Sequence, residues 1–175
     1  MTVVTQTLGW VPEQTEATML ATAAVSKGDL VRLTTNYYGT TGNGAAIPGV
    51  TKAGVVNTAN LANKWGVFGV CLADAAANKQ VRVCIRGRAW VSVEIDATAI
   101  AANDELVAGG DETTSTHSLM AAADLNAGVT VSPTSRKILA ISEEAGDAAT
   151  GTEDHIWVIF NGAEGFGTYV GDTVA

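Results

Sequence analysis

The stretch from residue 65 to residue 93, WGVFGVCLADAAANKQVRVCIRGRAWVSV, decides the fold class. β-branched residues recur with a period of two around a short turn-rich connection, and in the second half they alternate with arginines. This pattern predicts a half-buried antiparallel β-hairpin. Asp74 and Asn78 lie in the connection and are residue types that tolerate turn conformations. In the second strand, one parity contains the apolar residues Val81, Val83, Ile85, Val91 and Val93. The other parity contains Arg82, Cys84, Arg86, Arg88 and Trp90.

The composition favours a rigid β-rich protein. The 175 residues suffice for one domain, or for two small lobes that share a core. Only 16% of them are charged, against about 25% in typical domains. Together with 19 glycines, this low charge suits strands and loops rather than solvated helices. The apolar fraction of 47% argues against disorder.

The charge and the hydropathy pattern exclude several classes of partner. A net charge of −8 disfavours direct binding to nucleic acid, which requires clustered Lys and Arg. No segment approaches the roughly 20 apolar residues that span a bilayer, so no membrane partner is expected. The start, MTVVTQTLGW, lacks the features of a signal peptide, so export by that route is not expected.

The two cysteines lie on the two arms of the hairpin. Cys71 and Cys84 can come nearly opposite one another, but their parities place them on different faces of the sheet. We therefore expect two reduced thiols rather than a disulfide.

Three regions follow from the order of the chain: an N-terminal arm (1–22), a single β-rich domain (23–162) and a glycine-rich tail (163–175). The arm has spaced apolar residues, namely Val3, Val4, Leu8 and Trp10. They indicate docking on this subunit or on a neighbour, or else a strand at the edge of the same domain. Further strands are predicted near residues 30–33, 138–141 and 155–160, and one short helical turn is predicted over 119–125.

The chain also repeats itself weakly. Lys27–Val31, Val67–Ala73 and Val81–Ile85 form one unit, and a second unit runs through 103–107, 138–141 and 156–160. Two similar units in series predict one all-β fold, a compact antiparallel barrel or sandwich with long loops.

Three of these segments resemble the capsid cement, or head decoration, proteins of tailed bacteriophages. The matching segments are Lys27–Val31, Val67–Ala76 and Val81–Gly87, and the resemblance covers residues 26–95 with an echo over 103–160. One departure is Asn78-Lys79, where a glycine commonly ends the turn.

The resemblance implies a virion structural protein of the outer capsid surface, made in the host cytoplasm. It implies a homotrimer that binds the major capsid protein and stabilises an icosahedral head, and it implies no cofactor. It carries over no binding residue.

A search for chemistry finds no catalytic signature, so we do not expect an enzyme. His117 and His155 are expected to be surface histidines rather than ligands or bases. The carboxylates of residues 104–112 and 143–147 lack the ligand spacing of a calcium site and are expected to lie in solvated loops.

The candidate interface comprises Arg82, Arg86, Arg88 and Trp90, together with the apolar residues of the arm. Arginine and aromatic residues are favoured at protein interfaces, so we expect this stripe to contact an acidic patch on a capsid or on a sister subunit. The alternative is a solvated face on which the arginines pair with local carboxylates. The alternative function is a head-fibre or adhesion domain that binds host-surface glycans, for which Tyr37 and Tyr38 give thin support.

Overall fold

The computed structural model describes residues 14–34, 48–53, 66–94, 99–109, 118–123, 135–146 and 153–170. Over these residues the chain forms ten strands and no α-helix, which confirms the all-β prediction. The strands are β1 (Thr15–Ala21), β2 (Leu30–Leu33), β3 (Gly49–Lys52), β4 (Phe68–Cys71), β5 (Lys79–Glu94), β6 (Glu105–Ala108), β7 (Leu119–Ala121), β8 (Ser135–Ser142), β9 (Glu153–Asn161) and β10 (Gly167–Val170).

The first five strands close into a barrel. The order around it is β1, β3, β2, β4 and β5, and β5 pairs back onto β1. The predicted hairpin is β4–β5, and Asn78 in its turn has a φ of 62°. This is the left-handed conformation that asparagine adopts more readily than most residues.

A second five-stranded ring follows, in the order β5, β7, β6, β8 and β9, and β9 pairs back onto β5. The 16-residue strand β5 belongs to both rings, its first half to one and its second half to the other. In each ring the first strand pairs in parallel with one neighbour, and the other four pairings are antiparallel. The predicted two-unit repeat is therefore confirmed in the topology.

The repeat extends to individual backbone hydrogen bonds. In the first barrel the N–H of Gly28 donates to the carbonyl of Cys71 (2.9 Å), and the N–H of Cys71 donates to the carbonyl of Asp29 (3.0 Å). The matching bonds of the second barrel run from Asn103 to Ser142 (2.8 Å) and from Ser142 to Asp104 (3.0 Å). The aspartate carboxylate accepts a bond from the backbone N–H three residues earlier in each turn, at 2.6 Å from Ser26 and 2.7 Å from Ala101. The two barrels therefore share one backbone design.

Alternation along the strands creates two main cores. The core of the first barrel includes Met19, Ala21, Val31, Val50, Cys71, Val81 and Val83. The larger core contains residues of the second barrel, including Val91, Val93, Leu106, Leu119, Ile156, Val158 and Phe160. That larger core also takes in Leu30, Phe68, Val70 and Cys84, which are on the outer face of the first barrel.

The two barrels are joined by packing and by direct backbone bonds. The N–H of Phe68 donates to the carbonyl of Gly162 (3.1 Å), and the N–H of Gly162 donates to the carbonyl of Ile85 (2.9 Å). Lys137 adds a clasp, since its Nζ donates to the carbonyls of Gly66 (3.1 Å) and Ala163 (3.0 Å).

Three expectations hold only in part. The half-buried hairpin is confirmed in β5, where buried Val81 and Val83 alternate with exposed Arg82, but not in β4, whose four residues are all buried. Cys84 is buried as well, because the second barrel covers that face. Of the helical turn predicted over 119–125, Leu119–Ala121 is instead a strand whose three residues are all buried, Ala122 and Ala123 begin a 3-10 turn, and residues 124–125 lie outside the described residues. Thr15–Ala21, within the predicted arm, is a strand of the first barrel, which was one of the two alternatives for that region, and it pairs with both β3 and β5 rather than lying at an edge.

Candidate interface on the second barrel

The three arginines of the predicted stripe are all exposed along β5. Arg82 forms an ion pair with Glu16 of β1, and the Nε of Arg88 donates to Glu143 Oε2 at 2.6 Å. Arg86 has no ion pair within the described part of the chain. Two of the three arginines thus pair with local carboxylates, and the stripe is not a uniformly basic surface.

Trp90 is half-buried and helps to hold the two barrels together. Its ring stacks on that of His155, with the centroids 4.2 Å apart and the planes at 20°. The Nζ of Lys27, from a turn of the first barrel, lies 5.4 Å from the centroid of Trp90. The same turn bonds the second barrel, because the N–H of Ser92 donates to the carbonyl of Gly28 at 2.9 Å. His155, predicted at the surface, is half-buried in this junction.

Trp157 is the exposed aromatic residue of this face, with 38% of its surface accessible. It is the cross-strand partner of Trp90, and the guanidinium carbon of Arg88 lies 4.3 Å from its ring centroid. Its backbone N–H donates to Glu144 Oε1 at 2.8 Å. Arg88, Trp90 and Trp157 together form what we call the aromatic patch.

The sequence interpretation missed Trp157, although the signal was present. In β9 the residues that alternate with the buried Ile156 and Val158 must face outward, and Trp157 has that parity. Tryptophan at an outward position is a candidate interface residue, because tryptophan is enriched among the side chains that dominate interface energies.

The repeat provides an internal comparison for the aromatic patch. The backbone carbonyl of Arg82 accepts a hydrogen bond from the N–H of Leu72, and the backbone carbonyl of Trp157 accepts one from the N–H of Glu143. Arg82 and Trp157 therefore hold matching positions in the two barrels. Thr18 likewise matches Trp90, because Thr18 is the cross-strand partner of Arg82 and Trp90 is the cross-strand partner of Trp157. The first barrel therefore builds this surface without tryptophan, so the shared fold does not require Trp90 and Trp157.

Comparisons with known proteins find similarity among solved structures only. No family model matches the chain, and no curated protein matches it. Among solved structures, the chain is similar to the N base of head fibre gp8.5 of bacteriophage phi29. The sequence identity is 12%, the match covers 86% of this chain and 97% of that chain, and the TM-score is 0.44.

The other predicted site residues are distributed as follows. Val3, Val4, Leu8 and Trp10 lie outside the described residues, as do His117, Asp111, Glu112 and Asp147. Of the carboxylates in the predicted loops, Glu143 and Glu144 bond Arg88 and the backbone of Trp157. Asp104 caps its own turn.

Reactive and metal-binding groups are limited in the described ranges. Cys71 and Cys84 are buried, unbridged and on opposite faces of the sheet. Burial, with the nearby Asp29 charge, raises the pKa of Cys71 to about 12, against a smaller opposing effect of Lys52. Burial likewise raises the pKa of Cys84. No group of three or more His, Cys, Asp or Glu side chains that could hold a metal ion occurs in these ranges, nor does a helix long and apolar enough to cross a membrane.

Proposed function

We propose that this protein is a virion structural protein of a bacteriophage, a decoration or cement protein on the outer surface of an icosahedral head. Its partners are the major capsid protein and further copies of itself, as a homotrimer, and its role is to stabilise contacts between capsid subunits. The resemblance of residues 26–95 to that family supports this proposal.

The aromatic patch is the observation that carries a binding role. Tryptophan and arginine are the residue types most enriched among side chains that dominate interface energies. Here both are placed on an outer sheet face, where the matching barrel uses Thr18, Arg82 and Glu16 instead. An exposed tryptophan that the shared fold does not require supports binding through this surface.

The scaffold suits such a role because its strands close into two rings around apolar cores. Two closed rings leave few open edges, and the strands carry filled cores on their inner faces. A cement protein must transmit force between capsid subunits, which needs a stiff body with interaction groups outside it. The exposed face of β5 and β9 fits that requirement.

Binding to heads, combined with heating, tests the proposal. Purified heads that lack the protein are incubated with it, pelleted and heated. We expect saturable co-sedimentation and a higher temperature of DNA release. Arg86→Glu with Arg88→Glu, and separately Trp157→Arg, should abolish co-sedimentation, because the first reverses the charge and the second restores the residue of the first barrel. Lys79→Glu, at an exposed position of the same strand, serves as the control. Full binding by Trp157→Arg would contradict the role of the patch, full binding by the double arginine variant would contradict the role of the arginine stripe, and no binding by the wild type would contradict the proposed function.

A second candidate is a head-fibre or adhesion domain that binds host-surface glycans. The observation that favours it is Trp157, exposed beside Glu143 and Glu144, because an aromatic plane flanked by hydrogen-bonding groups suits a sugar ring. Heating also separates the two candidates, since a glycan binder need not alter DNA release. Binding of isolated host-surface glycans, lost in Trp157→Arg, would favour this second candidate.

A further inference from the structure

The outer face of the second barrel carries a row of four side chains, Arg88, Ile159, Ile141 and Glu105. They are successive cross-strand partners on β5, β9, β8 and β6. We call them the outer row. Ile159 and Ile141 at its centre are half-buried, and Arg88 and Glu105 at its ends are exposed. Two partly accessible isoleucines side by side leave apolar area for a contact.

The first barrel has the same row, but there it is covered. Its members are Glu16, Cys84, Val70 and Leu30, again successive cross-strand partners. Cys84, Val70 and Leu30 are fully buried. They share a cluster with Ala89 and Phe160, which lie at the end of the second barrel nearest Gly162. The outer row of the first barrel is therefore buried in the core that it shares with the second barrel.

The corresponding end of the first barrel is also only partly covered. Ala17 matches Ala89, because their cross-strand partners, Val83 and Val158, are matching residues. Ile85 matches Phe160, because Ile85 lies two residues after Val83 in β5 and Phe160 lies two residues after Val158 in β9. Ala17 and Ile85 pack against the first core and are only partly buried. We call Ala17, Ile85 and the adjacent Arg86 the first-barrel end.

Each chain thus exposes an outer row and a first-barrel end, the counterparts of the two surfaces that meet at the junction between its own barrels. We propose that the outer row of one copy docks on the first-barrel end of a second copy, and so repeats between chains the junction found within the chain. Charge supports this choice of occupant: Arg86 lies at one surface and Glu105 at the other, and neither forms an ion pair within the described residues. Opposite charges facing each other across an interface favour the correct partner and register.

The contact is heterologous, since two different surfaces meet. Such contacts close into rings or continue as open chains, and a ring of three satisfies every surface of a homotrimer. The aromatic patch extends beyond this contact: Trp157 lies in the neighbouring row, and the matching Arg82 is still 67% exposed beside the covered row of the first barrel. Binding between copies therefore leaves Trp157 available to another partner.

The experiment measures mass in solution without heads, so its result is independent of the proposed function. Sedimentation equilibrium or native mass spectrometry is applied to the wild type and to three single variants, Ile159→Glu in the outer row, Ile85→Glu in the first-barrel end, and Val67→Glu as the control. Val67 is 40% exposed and belongs to neither surface. We expect an oligomer for the wild type and for Val67→Glu, and monomers for the other two.

Mixing gives the decisive readout. Ile159→Glu retains an intact first-barrel end and Ile85→Glu retains an intact outer row, so an equimolar mixture should form a dimer and nothing larger. Two monomeric variants that fail to form this dimer would overturn the proposal, as would a monomeric wild type or an oligomeric Ile159→Glu.

Should Ile85→Glu fail to fold, charge reversal replaces it. Arg86→Glu and Glu105→Arg should each weaken association about tenfold or more, and the double variant should restore it, because the pair is re-formed with opposite signs. Absence of that rescue would equally overturn the proposal.

Discussion

Gly28 lies directly against the imidazole ring of His155, at the point where a turn of the first barrel meets the second. A Cβ placed on Gly28 would lie 2.6 Å from His155 Cδ2 and 2.8 Å from Nε2. Gly28 also has a φ of 91°, which residues with a Cβ rarely adopt. The close approach of His155 and the positive φ each disfavour a side chain at this position, and only glycine satisfies both conditions.

Gly28→Ala should therefore destabilise the protein by about 2–4 kcal/mol, from backbone strain together with overpacking. Urea unfolding followed by circular dichroism measures the effect. Asn103 has the matching position and a φ of 73°, so Asn103→Gly is the control and should change stability by less than about 1 kcal/mol. If the clash contributes, His155→Ala should recover part of the loss in a double variant. A fully additive double variant would show that the clash contributes nothing.

Cys71 and Ser142 hold matching positions, and this predicts a difference in alkaline stability. Burial raises the pKa of the Cys71 thiol to about 12, whereas an unfolded thiol titrates near about 8.5. Below the unfolded value both states keep the proton and the stability contribution is complete. As the pH rises towards the folded value only the unfolded chain loses its proton, so stability falls by about 1.4 kcal/mol per pH unit.

Cys71→Ser should remove this part of the pH dependence and still fold, because Ser142 already occupies the matching site. There its hydroxyl donates to the carbonyl of Ala101 at 2.6 Å, and Ser26 offers the matching carbonyl. Unfolding free energies between about pH 8 and pH 10 should decline more steeply for the wild type than for Cys71→Ser. Parallel curves would show that the thiol does not titrate on unfolding. Cys84, unchanged in both proteins, contributes equally to each.

Much of the fold could be predicted because alternation is a local signal. The hairpin, the Asn78 turn and both repeat units follow from residues that neighbour one another in sequence. What could not be predicted is which faces the two barrels hide from solvent. Cys84 has the parity of the exposed arginines, and only contact with the second barrel buries it. Leu119–Ala121 shows the same limit, since three consecutive buried residues fit a strand or a helix equally well.

The candidate interface was predicted less completely, for an electrostatic reason. Exposure of the arginines followed from parity, but their partners did not, because Glu16 and Glu143 are distant in sequence from Arg82 and Arg88. The candidate interface is therefore centred on the Arg88–Trp157 pair rather than on a basic stripe. These two residues are brought together only by the register between β5 and β9.

Trp157→Arg should separate binding from stability. Trp157 is exposed and the first barrel has no tryptophan at the matching position, so the substitution should change the free energy of unfolding by less than about 1 kcal/mol, as surface substitutions usually do. Trp90→Arg is the contrasting variant: it removes the stack on His155 at the junction and should cost about 2 kcal/mol or more. Chemical denaturation of both variants checks this order. Equal losses would mean that Trp157 is as structural as Trp90.

Lys137 should stabilise the junction between the two barrels, so its replacement should destabilise the junction more than either barrel. Its ammonium group bonds the carbonyls of Gly66 and Ala163, and its stem packs against Gly165, where an added Cβ would lie 2.5 Å from Cγ. Burial lowers the pKa of Lys137, so the ammonium group depends on these two carbonyls for the contacts that it loses from water.

Lys137→Met keeps the stem and removes the charge, and should cost about 1–3 kcal/mol because two carbonyls lose a charged donor. Native-state hydrogen exchange should localise the change, with faster exchange at the N–H groups of Phe68 and Gly162, which bridge the barrels, and little change at Cys71 inside the first. Lys79→Met, at an exposed position of β5, should leave both the stability and the exchange pattern unaltered. Uniformly faster exchange in Lys137→Met would instead indicate that the two barrels unfold as one unit, with no separate opening at the junction.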